Sequence, residues 1–238
     1  ENENRPLNIW FTLPVLPDGL TQSGLEVVRS ALENNVELAG INIMTMDYGD
    51  QSAPNPVNNM GEYAIQAGES LHNQLTLIYH EFNQYLTADE IWQKIGITPM
   101  IGMNEVTTEI FNLEDAQQLR EFGLEVNLNQ LSIWSANRDK QCAEGELNNV
   151  DISCSSIMQD EFGFSSILND FSENQGLTFD KNIVGYFVSW GVYDRDYEIL
   201  DIPADKINFI NYAFANINSN LGTIVLGDPY ADIDQFYP

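Results

Sequence analysis

Short apolar runs alternate along the chain with longer amphipathic stretches. The runs are rich in Ile, Val, Met and aromatic residues and carry little charge, as expected of strands that are covered on both faces. Because strands that alternate with helical patterns indicate β/α units, we predict an α/β protein with a parallel sheet and outer helices. The predicted strands are residues 9–13, 39–46, 97–103, 128–134, 183–190 and 207–214.

The stretches between these strands repeat apolar residues at helical spacing. Thr87 and Glu90 form the Thr-x-x-Glu pattern of a capping box, which predicts a helix that begins after Thr87, and Asn112 precedes another apolar stripe. The stripes are Leu25, Val28, Leu32 and Val36; Tyr63, Ala64, Ala67, Leu71, Leu75 and Ile78; Leu113, Ala116, Leu119 and Phe122; and Phe164, Ile167, Leu168 and Phe171. The pattern predicts four strand–helix units, then a loop and two further strands.

The chain is strongly acidic. Nine Lys and Arg residues stand against 36 Asp and Glu residues, which gives a formal net charge of -27. Such a charge repels phosphate backbones and anionic lipid head groups, so we expect no nucleic-acid partner and no membrane partner. No run of 18 apolar residues is present to span a bilayer. We interpret the acid excess as a solvated surface that keeps the protein in solution.

Four motifs occur along or at the ends of the predicted strands. They are residues 42–49 (Asn-Ile-Met-Thr-Met-Asp-Tyr-Gly), 98–102 (Thr-Pro-Met-Ile-Gly), 131–139 (Leu-Ser-Ile-Trp-Ser-Ala-Asn-Arg-Asp) and 184–191 (Val-Gly-Tyr-Phe-Val-Ser-Trp-Gly). Together they resemble the bacterial chitinases of glycoside hydrolase family 18. The resemblance implies an incomplete (β/α)8 TIM barrel. It assigns residues 1–175 to strands five to eight of one chitinase barrel and residues 176–238 to strands one and two of a second.

Six strands do not close an eight-stranded barrel. In a closed barrel the eighth strand neighbours the first, so we expect strand 183–190 to dock beside strand 128–134 through a right-handed crossover. The result would be a six-stranded open barrel. Because the resemblance covers only parts of two barrels, we expect the chain to be a fragment or processed product of a multidomain chitinase.

The resemblance places the sugar site at the carboxyl ends of the strands, where TIM-barrel enzymes hold their reactive groups. It assigns catalytic roles to Asp47 and Tyr48, since a hydroxyl beside a carboxylate can orient the substrate acetamide that attacks the anomeric carbon. The expected substrate-binding residues are Met44, Met46, Asn104, Trp134, Tyr186 and Phe214. Trp134 would stack on a pyranose ring, and burial in the core is the alternative explanation for Trp134 and both methionines.

The family carries its general acid at the end of a D-x-x-D-x-D-x-E motif, which is absent from this sequence. The string at residues 228–235 has Gln235 in the position of the acid, and a Gln side chain cannot protonate a leaving group. A solvated loop explains Glu105, so this residue is not assigned as the proton donor. The resemblance therefore places the general acid in a part of the parent protein upstream of Glu1.

The two cysteines, Cys142 and Cys154, lie 12 positions apart in a polar loop. A disulfide between them would stabilise the fold by about 3 kcal/mol in an oxidising compartment, and it indicates an extracellular protein. Two cysteines without a neighbouring His do not make a zinc site. His72 and His80 have no third ligand nearby in sequence. We therefore predict no metal and no organic cofactor.

The expected function of the parent is that of a secreted chitinase. It would hydrolyse β-1,4-linked N-acetylglucosamine polymers with retention, using the substrate acetamide as nucleophile, with chitin or chito-oligosaccharides as partners. A non-catalytic chito-oligosaccharide-binding module of the same fold is the alternative, and an endo-N-acetylglucosaminidase would share the mechanism. Because the acid motif is missing, the isolated chain is expected to be inactive. Serine-hydrolase, P-loop and Rossmann motifs are absent.

Overall fold

The fold is taken from a computed structural model that describes residues 8–173, 182–195 and 197–234. Its strands are β1 (Ile9–Pro14), β2 (Leu38–Thr45), β3 (Ile95–Pro99), β4 (Gly102–Met103), β5 (Ile110–Phe111), β6 (Gln130–Ile133), β7 (Asn182–Val188), β8 (Phe209–Ala213), β9 (Asn216–Asn218) and β10 (Thr223–Val225). Six of them form one sheet in the order β1-β2-β3-β6-β7-β8, and every neighbouring pair is parallel. The predicted incomplete barrel of parallel strands is confirmed.

Helices connect these strands, as the apolar stripes predict. They are α1 (Gln22–Glu33), α2 (Met60–Glu81), α3 (Ala88–Trp92), α4 (Leu113–Glu125), α5 (Gly163–Glu173) and the single turn α6 (Gly191–Asp194). α2 packs against β2, β3 and α4, and α5 packs against α4 and β7. The helices therefore form an outer layer over one face of the sheet. In the part of the chain that is described, none of them is both long and apolar enough to cross a membrane.

Side chains satisfy the amide groups at three of the helix starts. The predicted capping box between Thr87 and Glu90 is formed at α3, and Asn112 makes an equivalent box at α4. At α5 the carboxylate of Asp139 accepts the backbone N–H groups of Phe164 at 3.0 Å and Ser165 at 2.7 Å. Because the first amides of a helix have no partner within the helix, these acceptors fix where each helix begins.

An apolar ladder crosses the sheet at one register. Its members pair in sequence from strand to neighbouring strand: Leu13, Ile43, Ile97, Leu131 and Ile183. All but Leu13 are fully buried beneath the helices. Since parallel strands held at one register end at the same edge, the ladder brings the carboxyl ends of the strands together.

The predicted strand 97–103 is divided in two, which corrects the sequence interpretation. β3 ends at Pro99, and β4 pairs with β5 as an antiparallel hairpin instead of with the main sheet. Gly102 has a φ of +72°, and a Cβ on it would lie 2.0 Å from the Ser155 carbonyl oxygen. After β3 has ended, the chain therefore turns at Gly102, a position that only glycine can occupy.

β6 and β7 join the two parts of the chain that the sequence assigns to different barrels. Gln130 pairs with Asn182 and Ile133 with Gly185. The expected docking of strand 183–190 beside strand 128–134 is confirmed by the pairing of β7 with β6, and the result is a six-stranded open barrel. The expected boundary between residues 175 and 176 falls in a segment outside the described residues, so the division into two domains stays a prediction.

The outermost strands of the sheet, β1 and β8, are its most exposed. On β8 the side chains of Phe209, Ile210 and Tyr212 are all exposed, whereas Ala213 is buried. After β8 the chain forms the β9–β10 hairpin and a short helical turn at Tyr230–Asp234, none of which the sequence pattern predicted. The two open edges are where further strands would add to the sheet.

Replacing Ile183 by Ala is expected to lower the free energy of unfolding by about 2–4 kcal/mol, because a large-to-small change in a packed core leaves a cavity. Ile183 is 0% exposed, and Ile233, at 66% exposed, serves as the control. Ile233→Ala is expected to change that free energy by less than about 0.5 kcal/mol. Urea unfolding followed by circular dichroism and by tryptophan fluorescence measures both. Two separate transitions, of which only one moves, would contradict one continuous sheet.

Candidate functional site

A cavity of about 630 Å³ opens at the carboxyl edge of the sheet. It is lined by residues from β1, β2, β3, β7 and β8 and from the segments that follow β2, β6, β7 and β8. Five of the predicted substrate-binding residues meet there: Met44, Met46, Trp134, Tyr186 and Phe214. The ladder explains this convergence, because residues far apart in sequence stand at the ends of adjacent strands.

One wall of the cavity is aromatic. The rings of Trp134 and Phe214 lie 6.2 Å apart and 15° from parallel, and Trp190 lies 5.7 Å from Phe214. Tyr186 meets Trp134 edge-on at 5.6 Å. Both Trp side chains are half-buried, and the Arg195 guanidinium lies 5.6 Å from the Trp190 ring centre. The wall therefore offers flat apolar faces that are held by one another and remain open to a ligand.

The floor of the cavity is polar. The Tyr186 hydroxyl accepts a hydrogen bond from Asn42 Nδ2 at 3.1 Å and lies 3.1 Å from the Thr12 hydroxyl. Thr98 donates to Asn42 Oδ1 at 2.9 Å, which fixes the direction of the Asn42 amide. Sequence reasoning assigned no role to Thr12, and it quoted Asn42 and Thr98 only as members of two motifs. The network links four strands, β1, β2, β3 and β7. It leaves the hydroxyl of Tyr186 held at the base of the cavity.

Asp47 and Asn104 lie beside the cavity instead of in its wall. Asp47 is exposed, and its Oδ1 accepts the Val106 N–H at 2.9 Å. Asn104 is buried: its Oδ1 accepts the Asp47 N–H at 3.3 Å, and its Nδ2 donates to the carbonyls of Met100 and Gly102. These bonds occupy the Asn104 side chain, so it shapes the rim and does not reach the space that a ligand would fill.

The Tyr48 side chain points away from the cavity. The residue is 6% exposed, its ring packs edge-on against Tyr63 at 6.2 Å, and no described residue pairs with its hydroxyl in hydrogen-bond geometry. Burial, followed by the negative charge of Glu109, raises the pKa of this hydroxyl. The resemblance predicts that the Tyr48 hydroxyl orients the substrate acetamide at the end of this strand. β2 ends at Thr45, and Asp47 has a φ of 51°, which redirects the chain.

Glu109 is a functional candidate that the sequence reasoning missed. Its Oε2 accepts the Tyr48 N–H at 3.0 Å and its Oε1 accepts the Gly49 N–H at 2.7 Å. The sequence signal is weak: an acidic residue stands directly before the apolar pair of β5, Ile110–Phe111. Only the folded loops show that this carboxylate is buried against the turn that carries Asp47.

No carboxyl group lines the cavity among the residues described there, which are hydroxyl, amide, thioether, aliphatic and aromatic side chains. Of the acid-like string at 228–235, Asp228 accepts the Tyr193 hydroxyl at 2.6 Å and Asp232 accepts the Tyr212 hydroxyl. Gln235 lies outside the described residues. The exposed Glu105 is not part of the cavity wall either. Among the described residues, the cavity therefore offers no carboxylic acid that could donate a proton.

The predicted disulfide between Cys142 and Cys154 is present. Arg138, which is buried, holds the loop that the disulfide closes: its Nε donates to the Asp151 and Cys154 carbonyls and its Nη2 to the Met103 carbonyl. Burial lowers the pKa of Arg138 to about 10. Within the described part of the chain, the group of side chains close enough to share a metal ion is Cys142, Asp151 and Cys154. The disulfide leaves no thiolate there to serve as a ligand.

No family model matches the chain. It is 41% identical over 143 residues to a probable bifunctional chitinase/lysozyme of Escherichia coli, over 58% of this chain and 16% of that protein. It is 40% identical over 147 residues to endochitinase 11 of Metarhizium anisopliae, over 60% of this chain and 27% of that protein. The chain thus spans less than a third of the length of either relative.

Solved chitinase structures share the fold. A catalytic-site mutant of active domain 2 of a thermostable chitinase from Pyrococcus furiosus, complexed with chito-oligosaccharides, matches with a TM-score of 0.64 and 33% identity, over 75% of this chain and 55% of that chain. The catalytic domain of the hyperthermophilic chitinase from the same organism matches with a TM-score of 0.62 over 73% and 53%. In sequence the chain is therefore similar to chitinases, and in fold it is similar to chitinase catalytic domains.

Proposed function

We propose that this chain supplies the sugar-binding part of the active site of a chitinase that hydrolyses β-1,4-linked N-acetylglucosamine polymers. The observation that carries the proposal is the cavity at the carboxyl edge, with its aromatic wall and polar floor. A pyranose ring has apolar faces that stack on aromatic rings and hydroxyl groups that need hydrogen-bond partners. Trp134 and Phe214 suit the first requirement, and Tyr186 with its polar network suits the second.

The proposed mechanism is substrate-assisted and retaining. The acetamide oxygen of the sugar attacks its own anomeric carbon, so the protein has to hold the acetamide in line and exclude competing geometries. Met44 and Met46 give an apolar wall for the acetamide methyl group, and Trp134 supports the ring from below. Asp47, at the rim, would orient the acetamide N–H. Since the side chain of Tyr48 is buried outside the cavity, its contribution is to pack behind the Asp47 turn.

The general acid is proposed to come from a segment that completes the barrel between β8 and β1. Protonation of the leaving oxygen needs a carboxylic acid within hydrogen-bond reach, and none lines the described cavity. Thr12 of β1 and Asn211 of β8 both line this cavity although their strands are the two open edges of the sheet. A strand added at either edge would end beside the bound sugar.

Secretion and chitin as the partner are parts of the same proposal. The disulfide persists only in an oxidising compartment such as the cell exterior, and the net charge of -27 favours solubility there. The comparisons favour a catalytic domain over the non-catalytic binding module, because the relatives are named as chitinases. Residues 1–175 and 176–238 are proposed to derive from two successive barrels.

Replacing Trp134 by Ala is expected to weaken chitotetraose binding at least about tenfold, or ~1.4 kcal/mol, because the stacking face is lost. Tyr48→Phe is expected to leave the Kd within about twofold, since the hydroxyl that it removes is buried away from the cavity. Isothermal titration calorimetry measures both, with Tyr85→Ala, at an exposed ring in the segment between α2 and α3, as the aromatic control. An equal loss in Tyr48→Phe would restore Tyr48 as a sugar ligand.

Hydrolysis is expected to need the acid motif. The 238-residue chain should bind chitotetraose without releasing new reducing ends, whereas a longer protein that carries D-x-x-D-x-D-x-E in the same barrel should hydrolyse it. Proton NMR should then show the β-anomer as the first product, because a retaining mechanism keeps the configuration. An α-anomer formed first would rule out the substrate-assisted route. Hydrolysis by the chain alone would contradict an external acid.

A further inference from the structure

A buried carboxylate joins two loops at the carboxyl edge of the sheet. We call residues 47–49, after β2, the Asp47 turn, and residues 104–109, after β4, the Glu109 loop. Glu109 is 1% exposed, and each of its carboxylate oxygens has its own amide donor, from Tyr48 and from Gly49. In return, Asp47 Oδ1 accepts the Val106 N–H from the Glu109 loop. The two loops are therefore bonded in both directions.

Backbone amides hold the charge of Glu109. In the described part of the chain no Lys or Arg side chain forms an ion pair with it. Burial raises the pKa of the Glu109 carboxyl and the Asp47 charge adds to that effect, while the amides of Tyr48 and Gly49 oppose it. Asp47 and Gly49 have φ values of 51° and 78°, which turn successive amides toward one acceptor. Such an arrangement of successive N–H groups binds anions.

The Asp47 turn leads directly to the cavity through Met46. β2 ends at Thr45, so no hydrogen bond of the parallel ladder holds the backbone of Met46. The N–H of its neighbour Asp47 donates to Asn104 Oδ1, and the N–H of Tyr48 donates to Glu109 Oε2. The position of Met46 in the cavity wall thus depends on the carboxylate of the Glu109 loop.

We infer that Glu109 is a positioning residue for sugar binding: its carboxylate holds the Asp47 turn, and thereby Met46, in the geometry that the cavity requires. The inference rests on the proposed function, because sugar binding is what the geometry serves. Glu109 does not touch the ligand. A Gln at this position has one acceptor oxygen, and its NH₂ group would face a backbone N–H, so one of the two amides loses its partner.

Two variants separate this role from general stability. Glu109→Gln removes the carboxylate that accepts the two amides of the Asp47 turn. Asp115→Asn is the matched control: Asp115 is 3% exposed, accepts the amides of Gly61 and Asn112 at 2.9 Å each, and has its pKa raised by burial. Both changes remove a buried carboxylate that accepts two amides. Only the first lies beside the cavity.

The readouts are the methyl resonances of ¹³C-methyl-labelled methionine and the Kd for chitotetraose. In Glu109→Gln the Met46 methyl resonance is expected to move and the Kd to weaken at least about fivefold. In Asp115→Asn the Met46 resonance should stay in place and the Kd should change less than about twofold. An unmoved Met46 resonance in Glu109→Gln, or an equal loss of affinity in both variants, overturns the inference.

Failure of the proposed function would look different. If the wild-type chain binds no chitotetraose, the proposed function is wrong. The Met46 resonance of the free protein, compared between the wild type and Glu109→Gln, still tests whether Glu109 positions Met46.

If Glu109→Gln does not fold, the wild-type amide resonances of Tyr48 and Gly49 test whether the Glu109 carboxylate binds the Asp47 turn. The titratable groups that face Glu109 are Asp47 and Tyr48, and the raised pKa of Tyr48 keeps it from titrating in the acid range. The two amides should titrate together, with a midpoint above the ordinary Glu value of about 4.3, in the wild type and in Asp47→Asn. Amides that do not titrate in this way overturn the inference.

Discussion

The site depends on one constraint: the parallel register that the apolar ladder imposes across the sheet. The ladder residues come from both parts of the chain that the sequence assigns to separate barrels: Leu13, Ile43, Ile97, Leu131 and Ile183. A shift of one residue between β6 and β7 would turn Ile183 away from the helices and carry Tyr186 out of the cavity, because strand side chains alternate between faces. Burial of the ladder under the helices therefore also sets the distance between Trp134 and Tyr186.

The main strands and helices were predictable because each has a local signal. Apolar runs between polar stretches marked the six strands, and the capping residues Thr87 and Asn112 marked two helix starts. The β4–β5 and β9–β10 hairpins were missed because strands of two or three residues are too short to show a period. The break at Gly102 depends on the Ser155 carbonyl, which is remote in sequence, so no local pattern could reveal it.

The residues of the site likewise divide into those that could be predicted from the sequence and those that could not. Met44, Trp134 and Tyr186 were predictable from the family resemblance, and all three line the cavity at the carboxyl edge of the sheet. The orientation of Tyr48 was not, because the left-handed backbone of Asp47 is stabilised by Asn104 and the Glu109 loop, which lie about 60 residues away. Strand alternation predicts side-chain direction only as far as the strand extends.

Some of the acidic residues have a structural role in the interior, in addition to those on the solvated surface. With nine Lys and Arg residues against 36 acidic ones, few cations are available for carboxylates in the interior. Glu109, Asp115 and Asp139 are each buried and each accept two backbone amides, and burial raises the pKa of all three. A carboxyl whose folded-state pKa is raised contributes its full stability below the unfolded-state pKa and loses it as the pH rises through the folded-state value. These groups therefore do not drive acid unfolding. Because amides bind a carboxylate only in a defined direction, each of these carboxylates fixes the backbone segments that it joins, and Glu109 does so beside the cavity.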